Sequence, residues 1–430
     1  MKKVLVTRFV FIFFFLYIIK SCVDMILTSY VTIGGFEYSS FEISDWMINY
    51  EGGFVRRGLI GQLLYELIKV YFCDIRIIIM WIIIVCSFVF IYLVIHIFRL
   101  EGFSLLIIPT GCFAGFILFS LFGRRDLLTF LIVFLIFRMY KSLIGFHRII
   151  IYKWLIFYGL SISLILIHES AFFYTFPILF LIGYCNTSKS RPFVKRIIHS
   201  IVVFSPILLT MFLVCFFKGN QEIADLIWKS WIPVINAFPD FSQGGKVYGM
   251  DALTWKTLDT ILLHLRLSYL GINASAFRVV LVIFNWLSIY YLLTRLDVIS
   301  MKTRKNTAMN HTYMSNIVII QFLSLLPMFG ILSSDWGRIL PYWSITSVFI
   351  YHIYKTDSII FPSHLTKIST SLQGYIVKHK KILLSPYFYV FLIMISPFPK
   401  FWAPDTNNTI QISLVQYIKK AVVAVSSSLL

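Results

Sequence analysis

The residues best suited to chemistry in this chain fall in five short stretches. These are Ser44-Asp45-Trp46, Tyr50-Glu51-Gly52-Gly53-Phe54-Val55-Arg56-Arg57-Gly58, Gly123-Arg124-Arg125-Asp126, His168-Glu169-Ser170 and Ser334-Asp335-Trp336-Gly337-Arg338. An arginine presents a fixed, permanently charged fork that matches phosphate oxygens. Arg56, Arg57, Arg124, Arg125 and Arg338 are therefore candidate phosphate or pyrophosphate ligands. Asp45 and Glu169 are the candidate general bases, and His168 is placed to shuttle a proton or bond a phosphate oxygen. Glu51, Asp126 and Asp335 are candidates for other substrate contacts. The bland reading is local pairing, Arg125 with Asp126 or Asp335 with Arg338. Gly52-Gly53 suits a turn or a close approach of backbone to a ligand, the turn being the simpler reading.

The elements that position these residues follow from composition. The chain has 430 residues, 59% of them hydrophobic and only 13% charged, with a mean hydropathy of +0.84. Soluble domains carry about 25% charged residues, so most of this surface must face lipid. The expected fold is an all-α polytopic membrane protein, read as one transmembrane domain over 1–430. The net charge of +19 fits Lys and Arg gathered in cytoplasmic loops better than nucleic-acid binding. Cys22, Cys73, Cys86, Cys112, Cys185 and Cys215 are scattered without a CxxC pair, against both a disulfide framework and a metal site.

A spanning helix needs about 20 apolar residues, with roughly 17 as a floor. Eleven segments qualify or nearly do, within a range of 10 to 12: 5–27, 76–98, 104–122, 126–140, 149–167, 171–185, 197–217, 276–294, 315–333, 339–355 and 382–398. Those at 126–140 and 171–185 are short. The N-terminus has a signal-peptide outline without a cleavage site and reads as a retained first helix starting in the cytoplasm. Alternation from there places Arg138, Lys141, Arg148, Lys189, Arg191, Lys195, Arg196, Lys302, Arg304, Lys305, Lys367, Lys378, Lys380 and Lys381 inside. It places all five chemical stretches outside. The first outer loop, 28–75, includes an interfacial helix at 58–72; the fourth, 218–275, carries Trp228, Trp231, Trp255, Lys246, Asp251, Asp259 and Arg266. Its tryptophans suit either sugar stacking or, for Trp228 and Trp231, interfacial anchoring. Arginines on that side run against the usual bias, and ionisable groups at the membrane boundary are costly unless paired or functional. Their gathering on one side favours a shared site.

Arginines beside a carboxylate base suit transfer from a lipid-linked donor, whose phosphate or diphosphate leaving group needs its charge held. A base acting on the far face of the sugar inverts the anomeric centre. No DxD occurs, and arginines could stand in for a metal's charge, so neither metal nor cofactor is expected. In layout the chain resembles the multi-spanning glycosyltransferases of the GT-C superfamily: a first helix, then a large outer loop with an acidic residue and juxtamembrane helices. The run from Tyr50 to Leu59, with Gly123-Arg124-Arg125-Asp126, His168-Glu169 and Asp335-Trp336-Gly337-Arg338, looks like membrane proteins of O-antigen and capsule gene clusters, many assigned as O-antigen polymerases.

The resemblance implies Asp45 as the base and a hexosyltransferase or polysaccharide polymerase of lipopolysaccharide biosynthesis. The enzyme would sit in a bacterial inner membrane, N-terminus cytoplasmic and active face periplasmic. Its substrate would be an undecaprenyl diphosphate-linked glycan, moved onto a lipid-linked repeat unit. Its partners would be that polyprenyl-linked sugar and the bilayer, with a chain-length regulator left open and no nucleic acid. A GT-C transferase using a polyprenyl-phosphate monosaccharide is the nearest rival. A flippase or transporter of lipid-linked sugar is the rival of another class. No internal repeat supports it, and the charges inside a span, Lys20 and Asp24, are spaced to pair with each other.

Overall fold

The structure, a computed structural model, describes residues 41–71, 74–103, 105–108, 123–144, 151–186, 192–234, 248–251, 253–255, 257–265, 313–329, 331–333, 336–355 and 361–378, with isolated positions besides. The expected spans at 5–27, 104–122, 276–294 and 382–398 lie wholly or largely outside them. Among the described residues the fold is all helix, with a single isolated bridge between Phe329 and Ser333. The chain divides into two compact units, one of 20–91 with 123–260, the other of 1–19, 92–122 and 261–430.

The first unit holds α1 (Phe41–Trp46), α2 (Gly58–Tyr71), most of α3 (Ile75–Glu101), α4 (Asp126–Ile144), α5 (Ile151–Ile167), α6 (Ala171–Asn186), α7 (Phe193–Phe216), α8 (Gln221–Trp231), α9 (Tyr248–Asp251) and the start of α10 (Thr257–Leu265). The second holds the end of α3 and of α10, α11 (Tyr313–Leu325) running into a 3₁₀ turn (Leu326–Met328), α12 (Trp336–Tyr354) and α13 (Ser363–Lys378).

Among the described residues three helices, α3, α4 and α7, are long and apolar enough to cross a membrane. With 27 residues, α3 reaches about 40 Å at 1.5 Å per residue. The segment expected to be short at 126–140 continues to Ile144 and makes a helix of 19 residues. Asp126 in its first turn and Lys141 in its last both favour the helix dipole. Shorter apolar helices are α5, α6 and 313–328; α6 has 16 residues and carries Pro177. The outward face of α7 is Phe193, Val194, Ile198, Ile201, Val202, Leu209, Phe212 and Phe216, a surface that a bilayer rather than water covers.

Within the first unit α4 packs on α5 and α6, and α7 on α5 and α6. Tyr140 fills the centre, its ring centroid 5.3 Å from that of Phe157 and 5.5 Å from that of Phe204. The Tyr158 hydroxyl donates to the Val203 carbonyl at 2.9 Å, tying α5 to α7. Where 218–275 was expected as a loop, its described part is mostly helical. Asn220 caps α8 by accepting from the Ile223 N–H. Trp231, expected as an interfacial anchor, is core instead: it is fully buried, donates to the Met47 carbonyl at 2.7 Å and meets the Tyr65 ring edge-on. In the second unit α11 packs against α12 and α13.

Candidate functional site

The segment that carries Asp45 is held by backbone packing. Asp45 lies in α1, and the Trp46 indole donates to the Gly123 carbonyl at 2.9 Å, which brings α1 to the start of α4. Gly61 of α2 sits on the carbonyls of Ile48 and Trp46, and Gly249 of α9 sits on Ser44 and the Asp45 amide, so that a Cβ at either position would collide with backbone. Tyr50-Glu51-Gly52-Gly53 is a turn closed by the Gly53 amide on the Tyr50 carbonyl, with Gly53 at φ 120° and Gly52 against the Ile223 carbonyl of α8. The Arg56 amide then donates to the Phe217 carbonyl at the end of α7.

This route delivers the arginines to the carboxylates. Arg57 grips Glu169, with Nε 2.8 Å from Oε2 and Nη2 2.6 Å from Oε1. Its Nη1 lies 3.5 Å from Asp45 Oδ1. Arg56 Nη1 is 3.5 Å from Glu169 Oε1. Arg125 clasps Asp45, with Nε 2.9 Å from Oδ2 and Nη2 2.5 Å from Oδ1, while its Nη1 donates to the Arg57 carbonyl at 3.0 Å. His168 Nδ1 is 2.6 Å from the Ser170 hydroxyl, and its ring adds a favourable charge interaction with both Asp45 and Glu169. Arg57 takes φ 66°, and it is the sole non-glycine with positive φ among the described residues. Such a backbone costs about 1–3 kcal/mol and persists where surrounding contacts over-determine it.

Electrostatics follow from this geometry. Burial pushes the Asp45 carboxyl up, but Arg125 and Arg57 outweigh it and hold the group well below the usual carboxylate range. Burial acts likewise on Glu169, and the charge and hydrogen bonds of Arg57, with Arg56, hold it well below. Burial, opposed by Glu169, draws Arg56 below its ordinary value. Three guanidiniums therefore face two carboxylates in a largely desolvated cluster.

Asp45, Arg56, Arg57, Arg125, His168 and Glu169 are thus brought together. The local pairing of Arg125 with Asp126 gives way to the pair with Asp45, eighty residues away. Asp126 and Arg124 are buried beside it at the start of α4. Glu51 stands apart: it is exposed, accepts from Gln62 and lies 3.9 Å from Lys69. Arg338 belongs to the second unit, its guanidinium 5.8 Å from the Tyr342 ring centroid, and Asp335 lies outside the described residues. Two groups escaped the sequence reading. Ser170 had no signal beyond its neighbours. Tyr50 stacks on Phe54, and its buried hydroxyl, raised to about 12 by burial against the pull of Arg125, has no hydrogen-bond partner among the described residues. In the second unit Glu101 at the end of α3 takes Lys355 at 2.5 Å and His352 at 2.7 Å, a cluster that spacing did not reveal because 251 residues separate its members.

No family model, curated protein or solved structure matches the chain.

Proposed function

We propose that the protein is a membrane-embedded glycan-transferring enzyme of the O-antigen polymerase type, which moves a glycan from undecaprenyl diphosphate onto a lipid-linked repeat unit. The observation that carries this reading is the cluster of Arg56, Arg57 and Arg125 with Asp45 and Glu169 at one end of the α4–α7 bundle. The start of α4, the α5–α6 junction and the end of α7 all meet there. The opposite ends carry Arg138, Lys141, Lys153, Lys195 and Arg196, and by the positive-inside rule they are cytoplasmic. The cluster then faces the periplasm of a bacterial inner membrane. The GT-C-like arrangement of about eleven spans, with α1 and α2 as juxtamembrane helices, belongs to the same reading.

The chemistry is a single displacement. An acceptor hydroxyl gives its proton to a carboxylate of the cluster as its oxygen bonds to the anomeric carbon. The bond from that carbon to the diphosphate oxygen breaks, and its electron pair leaves with the diphosphate. Arginines hold the charge that develops there, and attack from the opposite face inverts the centre.

The test is transfer by the purified chain in lipid nanodiscs. A ladder of products from an undecaprenyl diphosphate-linked repeat unit supports the polymerase. Single additions from a polyprenyl-phosphate monosaccharide would move the assignment to the GT-C transferases. No transfer from either donor by folded protein would remove the enzymatic reading.

A further inference from the structure

The two carboxylates of the cluster are not equivalent. The Arg125 side chain has no exposed surface and that of Asp45 only 7%, whereas Glu169, Arg57 and Arg56 keep 16%, 18% and 23%. Asp45 is sealed with a partner that also fixes the Arg57 carbonyl, and so the left-handed backbone of Arg57. Moving Asp45 would break the clasp that shapes the site. Glu169 lies on the accessible side, at the loop just before α6, where the Phe172 amide bonds the Glu169 carbonyl. A carboxylate released there stays beside the positive end of a helix dipole.

Resting on the phosphate-binding reading above, we propose that Glu169 is an exchangeable counter-ion: a phosphoryl anion takes its place on Arg56 and Arg57, and the displaced Glu169 is the carboxylate that accepts the acceptor's proton, while Asp45 and Arg125 remain paired as positioning residues. The Nε–Nη2 edge of Arg57 that holds Glu169 can fork one anion at a time, so an anionic leaving group that takes this edge frees the base. Proton acceptance is thereby tied to donor binding. The proton passes from the acceptor hydroxyl to a Glu169 oxygen, and the electron pair of the broken anomeric bond stays on the diphosphate.

The experiment measures binding, independently of turnover, by the full chain in phosphatidylcholine nanodiscs, which offer no anionic headgroup. The probes are inorganic pyrophosphate and farnesyl diphosphate. Glu169→Gln is expected to bind them about tenfold more tightly than the natural chain, because the competing charge is gone. Glu169→Ala, which leaves no amide to bond Arg57, is expected to gain as well, while Arg56→Ala and Arg57→Ala weaken binding. Tighter binding of farnesyl diphosphate marks a lipid-linked occupant and tighter binding of pyrophosphate a free one; exchange at Glu169 is supported in both cases. Equal or weaker binding by both Glu169 variants would overturn the exchange and leave the phosphate site standing. A gain in Asp45→Asn as large as that in Glu169→Gln would also overturn it. Absence of binding by every folded variant would overturn the phosphate-binding reading and this inference together.

Discussion

Arg57 touches both carboxylates while its own carbonyl is held by Arg125, and each of these contacts depends on the planar guanidinium fork. Arg57→Lys keeps the charge but loses the bidentate grip on Glu169. Losing one such charged hydrogen bond costs about 1.5–3 kcal/mol, so transfer by Arg57→Lys is expected to fall roughly 10- to 100-fold in a donor-to-acceptor assay. Tyr50 offers a contrast of opposite sign. An unsatisfied buried hydroxyl costs about 1–3 kcal/mol, so Tyr50→Phe is expected to keep or raise Tm while lowering turnover, if the hydroxyl serves the ligand. A lower Tm would mean that the hydroxyl is satisfied in the folded protein. The acid limb of stability belongs to Asp45 and Glu169. Both are held below their unfolded values of about 3.9 and 4.3, so their contribution is full above that range and is lost as pH falls through the folded values. Tm followed from pH 7 to pH 3 is expected to drop below about pH 4, and less steeply in Asp45→Asn.

At the scale of elements, glycines let the site close. The buried face of α2 is Gly58, Gly61, Leu64, Tyr65 and Ile68, and its two glycines accept the Tyr50 ring and the Ile48 carbonyl of the 46–50 segment. Gly61→Ala places a methyl against backbone, which cannot swing aside as a flexible side chain can. Overpacking of this kind costs about 1–3 kcal/mol. The expected result is a lower Tm together with lost transfer, since α1 and Asp45 shift with the segment. An unchanged Tm would show that α2 slides to accommodate the methyl.

For the whole molecule, the alternation of α4 to α7 puts the charged cluster at one end and Arg138, Lys141, Lys153, Lys195 and Arg196 at the other. In a chain without native cysteines, Lys218→Cys is expected to react with a membrane-impermeant thiol reagent in intact spheroplasts, and Lys141→Cys only after permeabilisation. The reverse pattern would place the cluster in the cytoplasm and end the reading of a periplasmic active face.

Composition and the length of apolar runs by themselves determined the class: helices, lipid-facing, with the boundaries of α3, α5, α6 and α7 legible to within a few residues, because a 3.6-residue helix crossing about 30 Å leaves a run of fixed length. The bias of positive charge gave an expected side of the membrane for the arginines, and the labelling of Lys218→Cys and Lys141→Cys tests it. Which groups meet was not legible. Arg125 lay next to Asp126 in sequence yet pairs with Asp45; Trp231 read as a surface anchor yet fills the core against Tyr65; and Glu51, set within the same motif as Arg56 and Arg57, points to Lys69 and Gln62 instead. Contacts between segments 12 to 112 residues apart depend on how helix ends pack and on a turn with two positive-φ residues, Gly53 and Arg57. Neither has a periodic signature along the chain. Tertiary packing alone divided the carboxylates into one sealed by Arg125 and one that keeps exposed surface.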